Sequence, residues 1–239
     1  MSSSAAEKEH ATRVRSMFAN ISARYDLLNH LLSGSLDKRW RLKVARLLAG
    51  VVSSDGIILD VACGTGDLAF ALLETTGARV VGTDFCRPML AVAQRKGSKH
   101  DNRVPFVEGD ALNLPFPSNS FDGVTIAFGL RNLASFAGGL KELLRVTRPG
   151  GGVVVLEFSK PTLPGFRSLF QFYFHRVLPL LGGAVSGSKS AYEYLPNSVA
   201  RFPDQGELAA LMREVGFEKV EYSNLTGGVA AIHFGKKPE

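Results

Sequence analysis

Cysteine is scarce in this sequence, with only Cys63 and Cys86 among 239 residues. Neither lies in a spacing typical of a metal site, and two thiols cannot form the disulfide framework of a small secreted domain. We therefore expect both thiols to be reduced and buried, and we expect no metal centre. Apolar runs of the ~18 residues that a membrane helix needs are also missing. The N-terminal segment MSSSAAEKEHATRVR lacks the apolar core of a signal peptide, which predicts a cytoplasmic protein.

The net charge of +6 is not accompanied by any recognisable nucleic-acid-binding motif. No zinc-finger, RNP-like or helix-turn-helix pattern is present, so we expect no nucleic-acid partner. Basic residues are concentrated instead in the segment Lys38–Lys43, KRWRLK, which lies within a helical pattern. A basic helical segment favours reversible contact with an anionic membrane surface, here the inner face of the cell membrane.

The chain divides into a helical N-terminal part, residues 1–50, and an α/β part, residues 51–239. Apolar residues recur at helical spacing from Thr12 to about Leu48, and Ser33-Gly34-Ser35 interrupts them. Short apolar runs and amphipathic segments then alternate, which is typical of βαβ units and a parallel sheet. The predicted strands are Ile57–Val61, Arg79–Gly82, Pro105–Glu108, Gly123–Phe128 and Gly152–Phe158. The predicted helices between them are Asp67–Glu74, Arg87–Lys96 and Ala137–Val146.

The alternation stops after Lys160. An aromatic-rich helix around 164–182 follows, and it is compatible either with a core helix or with an apolar lid over a lipid-like substrate. Then come a turn-rich connector, a helix over Asp204–Val215 and two strand patterns joined at Gly227-Gly228. These last patterns predict a hairpin that adds an antiparallel edge strand to a mostly parallel, Rossmann-like sheet.

The stretch ILDVACGTGDLAF contains a glycine turn between a strand and a helix, and Asp84 follows at nearly the spacing of a dinucleotide site. An NAD-binding oxidoreductase is therefore one hypothesis. However, Asp60, Asp84 and Asp110 each end or follow a predicted strand, and Asp67 lies just inside the turn. Pyrophosphate binding at a helix N-terminus is disfavoured by nearby anions. S-adenosylmethionine, which carries an ammonium, a sulfonium, a diol and an adenine amino group, suits such carboxylates.

The predicted donor site follows from this match of donors and acceptors. We assign its contacts as the ammonium to Asp60 and Asp67, the ribose diol to Asp84, the adenine edge to Asp110 and Ala111, and the methionine carboxylate to Gly64, Thr65 and Gly66.

Several longer motifs resemble a known family. They are YDLLNHLLSGSLDKRW (Tyr25–Trp40), DVACGTGDLA, FGLRN (Phe128–Asn132), RVTRPGGGVVVLEFSKP (Arg145–Pro161) and YLPNSVARFPDQ (Tyr194–Gln205). The resemblance is to the MenG/UbiE C-methyltransferases and runs from about Arg13 to Lys237. It implies a class I S-adenosylmethionine-dependent methyltransferase with a seven-stranded sheet. It also implies methylation of a ring carbon in a prenylated naphthoquinol such as demethylmenaquinol, with ubiquinone- or phylloquinone-type rings as alternatives.

Ring methylation needs a phenolate and an aligned methyl donor, and it needs no metal. In the FGLRN motif, Arg131 can stabilise the phenolate and Asn132 can bind a quinol oxygen. The resemblance places Ala127, just before this motif, at a cofactor contact. Alternatively, Arg131 pairs with an acid such as Glu157, and Asn132 caps a helix. The candidates for the base are Tyr25, Asp26, His30 and His175.

Two other classes of protein remain as alternatives. An NAD-binding oxidoreductase is disfavoured by Asp67 and by the terminal hairpin. A catalytically silent scaffold is disfavoured because the glycines and acids of the donor site are all present. The sequence is also compatible with a homodimer.

Overall fold

A computed structural model describes residues 5–22, 25–162 and 189–239 of the chain. The predicted aromatic-rich helix around 164–182, and with it His175, lies outside these residues.

Three helices precede the sheet: α1 (Ala5–Ile21), α2 (Tyr25–Leu32) and α3 (Leu36–Ala49). The predicted interruption is confirmed, since Gly34 and Ser35 between α2 and α3 have φ values of +59° and +61°. Left-handed backbone of this kind ends a helix. α3 buries Trp40, Val44 and Leu48 against the rest of the protein. None of the helices within the described ranges combines the length and the apolar character needed to cross a membrane.

The predicted strands and helices of the α/β part are confirmed, with small differences at their ends. The strands are β1 (Ile57–Val61), β2 (Arg79–Asp84), β3 (Phe106–Glu108), β4 (Phe121–Ala127), β5 (Thr147–Phe158), β6 (Glu218–Leu225) and β7 (Ala230–Lys236). The helices are α4 (Asp67–Thr76), α5 (Arg87–Gly97), α6 (Phe136–Val146), α7 (Lys189–Arg201) and α8 (Gln205–Val215). The prediction of a turn-rich connector before α8 is wrong for most of its length, because α7 continues through Pro196 to Arg201. A short 3-10 helix, η1 (Leu130–Asn132), follows β4.

The seven strands form one sheet in the order β3-β2-β1-β4-β5-β7-β6. The first five run parallel, whereas β7 runs antiparallel to both of its neighbours. The predicted hairpin and its antiparallel strand are thus present. The C-terminal strand, however, lies one place in from the edge, and β6 is the edge strand. After α7 and α8, the chain enters β6, which runs parallel to β5 but is not its neighbour. The hairpin then places β7 between β5 and β6, antiparallel to both.

Both faces of the sheet are buried, which explains the nearly continuous apolar strands. Along β5, Val154 belongs to a cluster with Leu48 and Leu72 from α3 and α4. Its neighbours Val153 and Val155 belong to a cluster on the opposite face, with α6 and α8. The strand order reverses between β1 and β4, and in open α/β sheets ligands bind beyond the carboxyl ends of strands at such a point.

A close approach at this point requires glycine at position 129, at the end of β4. A Cβ atom built on Gly129 would lie 2.5 Å from the Cβ atom of Ala62, in the turn after β1. Real Cβ atoms do not approach so closely, so the β4 end and the turn can touch only through glycine.

We therefore expect Gly129→Ala to lower the free energy of unfolding by about 1–3 kcal/mol, the usual cost of overpacking. Gly50→Ala is the matched control, because its new Cβ would meet nothing closer than the Leu47 carbonyl oxygen at 3.5 Å. Urea unfolding followed by circular dichroism measures both variants. Equal stabilities for the two variants would contradict the proposed contact.

Candidate active site

A pocket opens at the rim formed by the carboxyl ends of β1, β2 and β4. The sheet side contributes Gly64, Asp84, Asp110, Ala111 and Ala127 to its wall. The N-terminal helices contribute Ala11, Phe18 and Tyr25 from the opposite side. The loop after β4 adds Phe128, Gly129 and Asn132. The structure thus brings together residues that the sequence analysis assigned separately to donor binding and to catalysis.

The glycine loop lies between β1 and α4, as the sequence predicted. Gly64 and Gly66 have φ values of +55° and +85°, and Gly66 immediately precedes α4. A Cβ atom on Gly66 would lie 2.9 Å from the Phe70 ring and 3.1 Å from the Phe106 ring, so a larger residue does not fit. Both cysteines are free, although only Cys86 is fully buried, because Cys63 lies in this loop and is half-buried.

Asp84, at the end of β2, holds the loop in place. Its Oδ2 atom accepts a hydrogen bond from the Gly64 amide at 2.9 Å, and its Oδ1 atom accepts one from the Cys86 amide at 2.8 Å. Burial raises the pKa of Asp84 to about 6, against the lowering effect of these amides. The carboxylate lies in the pocket wall with both oxygens fixed, as a ligand for a diol would require.

Asp60 lies behind the pocket wall and is 1% exposed. Its Oδ1 atom accepts a hydrogen bond from the Thr125 hydroxyl at 2.8 Å. Its Oδ2 atom is buried and has no hydrogen-bond partner among the described residues. Burial raises the pKa of Asp60 to about 7, and the nearby Ala69 amide opposes this shift only weakly. A buried oxygen without a donor is unusual in a folded protein.

Asp67 and Thr65 face the N-terminal helices, outside the pocket wall. The Lys96 ammonium binds the Asp67 carboxylate, and Asp26 on α2 accepts hydrogen bonds from both Lys96, at 2.9 Å, and the Thr65 hydroxyl. We assigned Asp67 to the ammonium group of the ligand, but in the structure the ammonium group of Lys96 binds its carboxylate. The signal that the sequence analysis missed is the lysine in the last turn of α5.

This ion-pair network extends further into α2 and α3. His30 Nδ1 lies 2.8 Å from Asp37 Oδ2, His30 Nε2 lies 3.7 Å from Asp67, and the Arg41 guanidinium contacts Asp37 and lies 3.9 Å from Asp67. His30, Asp37 and Asp67 are close enough together to hold a metal ion. Arg41 and Lys96 contact the same carboxylates, however, and supply the positive charge that a metal would bring. We call this set the cap network: Asp26, His30, Asp37, Arg41, Thr65, Asp67 and Lys96.

Asp110 and Ala111, which the sequence analysis assigned to the adenine edge, lie in the pocket wall after β3. The Asp110 Oδ1 atom accepts a hydrogen bond from the Leu112 amide at 2.9 Å, and this bond closes a turn that has Ala111 at its centre. Ala127 ends β4 and is followed by Phe128, whose φ of +57° turns the chain into η1.

Arg131 points behind Phe128, outside the pocket wall. Its guanidinium pairs with Glu157 and donates to the Phe128 carbonyl oxygen at 2.7 Å. The two charged side chains are only 7% and 1% exposed. Burial raises the pKa of Glu157 to about 7, although Arg131 opposes the shift. Of the two hypotheses for Arg131, the structure shows the ion pair with Glu157.

Asn132 and Tyr25 both lie in the pocket wall. Asn132 Nδ2 donates to the Phe128 carbonyl oxygen at 3.2 Å, and Tyr194 on α7 donates to Asn132 Oδ1 at 3.1 Å. The Tyr25 ring meets Phe18 edge-to-face with centroids 6.0 Å apart. Burial raises the pKa of the Tyr25 hydroxyl, while Asn29 and Arg131 lower it. Tyr194 occurs within the family motif YLPNSVARFPDQ, and nothing in its sequence context predicts a role at this pocket.

Solved structures show the same fold. One is a methyltransferase from Thermotoga maritima, described as S-adenosylmethionine-dependent and as a possible histamine N-methyltransferase. It is 20% identical, with a TM-score of 0.64 over 92% of this chain and 98% of that chain. A methyltransferase of the same class from Aquifex aeolicus gives a TM-score of 0.63 at 17% identity, over 89% of this chain and 97% of that chain. The fold is that of an S-adenosylmethionine-dependent methyltransferase.

Sequence comparison identifies the family. A model of the ubiE/COQ5 methyltransferase family matches residues 6–237. The demethylmenaquinone methyltransferase of Thermus thermophilus is 52% identical over 93% of this chain and 100% of its own length. The ubiquinone/menaquinone biosynthesis C-methyltransferase UbiE of Geobacter sp. strain M21 is 44% identical over 96% of this chain and 98% of its own. The chain belongs to the ubiE/COQ5 methyltransferase family, as the sequence motifs predicted.

The buried Asp60 carboxyl group predicts a pH dependence of stability. Its folded pKa of about 7 lies above its ordinary value of 3.8, so folding takes up a proton between these pH values. The stabilisation of the folded state that results from this proton uptake is complete below about pH 4 and is lost as the pH rises to about 7. It amounts to ~1.4 kcal/mol for each unit of pKa difference.

We expect Asp60→Asn to flatten the decline in the free energy of unfolding between pH 4 and pH 7. Part of the slope should persist, since burial raises the pKa of Asp84 as well. Urea unfolding at closely spaced pH values measures the slope, and Asp55→Asn, at an exposed acid, is the control. An unchanged slope in Asp60→Asn would show that this group does not titrate in the folded protein.

Proposed function

We propose that the protein transfers a methyl group from S-adenosylmethionine to a ring carbon of demethylmenaquinol, giving menaquinol. The observation that carries this proposal is the 52% identity to a demethylmenaquinone methyltransferase over that enzyme's whole length. The geometry supports it, because the residues that we assign to the methyl donor and those that we assign to the methyl acceptor line the same pocket.

The donor fits the residues present on the sheet side of the pocket. The buried Asp60 Oδ2 atom without a partner suits the ammonium group, directly or through water. Asp84 suits the ribose diol, and Asp110 with the Ala111 amide suits the adenine edge. The amides of the glycine loop suit the methionine carboxylate, whereas the Thr65 hydroxyl already donates to Asp26 in the cap network. Ala127 leaves room for the sulfonium end, whereas Asp67 is committed to the cap network.

The chemistry places distinct demands on the chain's own residues. Bound S-adenosylmethionine supplies a methyl group on a positively charged sulfur, which leaves as the thioether of S-adenosylhomocysteine. Asn132 holds the quinol oxygen next to the reacting carbon. The phenolic proton leaves to water, because burial raises the pKa of the Tyr25 hydroxyl and keeps that hydroxyl protonated. The Asn132 amino group stabilises the resulting phenolate, since Glu157 and the Phe128 carbonyl oxygen already bind Arg131. The methylated ring carbon then loses its hydrogen as a proton, which restores aromaticity and reprotonates the phenolate oxygen. The reaction therefore releases one proton in total, the phenolic proton that left first.

The test is methyl transfer from labelled S-adenosylmethionine to a short-chain demethylmenaquinol, in detergent and under reducing conditions. We expect label on the naphthoquinone ring. Asn132→Ala should lower kcat by about 10- to 100-fold, which is the usual cost of a hydrogen bond to a charged group. Its affinity for the donor should change less than about twofold. Asp84→Asn should show the opposite pattern, because its amide cannot accept from both Gly64 and Cys86 and also serve a diol.

Different failures of this experiment have different meanings. Labelling of a methoxy-benzoquinol in place of the naphthoquinol would retain the donor and the reaction but change the acceptor. The assay should include the methoxy-benzoquinol, because the name of the Geobacter relative includes both ubiquinone and menaquinone biosynthesis. Stabilisation by NADH and not by S-adenosylhomocysteine would reject the methyltransferase function.

We further propose that the protein contacts anionic membranes through the outer face of α3. Lys38, Arg39 and Lys43 are exposed there, and Leu42 and Leu47 are 36% and 38% exposed beside them. Of the predicted basic segment, Arg41 belongs instead to the cap network and Trp40 to the core. Basic groups near an anionic leaflet contribute ~1 kcal/mol each to binding.

We expect the variant K38E/R39E/K43E to bind phosphatidylglycerol vesicles at least about tenfold more weakly than the unmodified protein. The control R79E/K99E/R103E changes the net charge equally at exposed positions on other elements. Co-sedimentation at low and at physiological salt measures binding. Equal losses in the two variants would show that net charge, and not this face, governs the association.

A further inference from the structure

Tyr194 on α7 contacts the pocket residue Asn132, which lies 62 residues earlier in the sequence. Its hydroxyl oxygen is 3.1 Å from Asn132 Oδ1. Tyr194 also lines a separate groove between α1 and α7, together with Val14, Met17 and Asn197. The side chain therefore connects the groove to the pocket wall.

Two contacts determine which way the Asn132 side-chain amide faces. A carbonyl oxygen can only accept hydrogen bonds, so the group beside the Phe128 oxygen at 3.2 Å must be the Nδ2 amino group. The Oδ1 atom then faces Tyr194, whose hydroxyl must donate. With the amide reversed, two oxygens would face each other at Phe128. The two contacts thus agree on a single orientation.

We propose that Tyr194 is a positioning residue for the methyl acceptor: its hydroxyl fixes the Asn132 amide so that the amino edge is directed to the quinol oxygen. This inference rests on the proposed function of the pocket. A donor at this edge favours the phenolate over the neutral phenol, since it stabilises negative charge on the oxygen. An unfixed amide would also present its oxygen, which repels a phenolate.

Tyr194 acts in this role as a neutral hydrogen-bond donor, and not as the base. Its proton is directed at Asn132, and its partial burial raises the pKa of the hydroxyl above the ordinary value. The charged groups that influence it are Arg131, Arg201, Arg13 and Glu157. The phenolic proton of the substrate must therefore leave by another route.

The kinetic test compares Tyr194→Phe with Tyr222→Phe, which alters an exposed tyrosine on β6. We expect kcat to fall by about tenfold in Tyr194→Phe, with little change in the affinity for the donor, and to stay unchanged in Tyr222→Phe. In an Asn132→Ala background, Tyr194→Phe should cost nothing further. An undiminished kcat in the single variant, or the same loss in both backgrounds, would overturn the proposal.

A second measurement needs no acceptor and so separates this inference from the proposed function. The side-chain amide signals of Asn132 in a ¹⁵N spectrum can be assigned by their loss in Asn132→Ala. We expect Tyr194→Phe to shift and broaden them while the thermal unfolding midpoint stays near that of Tyr222→Phe. Unshifted signals would overturn the positioning role even in a fully active enzyme. Shifted signals in a protein that methylates no quinol would retain the positioning of Asn132 and reject the substrate.

Discussion

The candidate site depends most on the carboxylate of Asp84. It ends β2 beside β1, and it accepts one amide from the turn after β1 and one from the start of α5. These two hydrogen bonds fix the glycine loop relative to the sheet. The loop in turn starts α4 and forms one wall of the pocket. Because the carboxylate is largely buried, its removal would leave two amides without their hydrogen-bond acceptor.

The distribution of charge around the loop is uneven, and this favours a cationic ligand. On the side of the N-terminal helices, Arg41 and Lys96 form ion pairs with the acids of the cap network. On the sheet side, no salt bridge involves Asp60 or Asp84 among the described residues, and burial raises the pKa of both. A cation bound there would lower these pKa values and gain the corresponding free energy. The sulfonium and ammonium groups of the donor meet this requirement.

Much of the α/β part could be predicted because its signals are local. Apolar runs, the glycine turn and the acids at the strand ends each occupy a few neighbouring residues. Contacts between distant segments could not be predicted in the same way. The partner of Asp67 is set by how α5 packs, and the fixing of Asn132 by Tyr194 depends on where α7 crosses η1. The place of β7 inside the sheet likewise follows from a crossover and not from its own sequence pattern.

The two halves of the pocket are built from different parts of the fold. The donor half consists of strand ends and the loops attached to them, and hydrogen bonds of the sheet hold these rigidly. The side that we propose for the acceptor consists of η1, α1 and α2, and α7 contacts it through the hydrogen bond from Tyr194 to Asn132. Substitutions in the acceptor half can therefore change the substrate without disturbing the donor. A shared fold does not determine the methyl acceptor: the chain keeps this fold at about 20% identity to a solved methyltransferase, and the residues of the site set the chemistry.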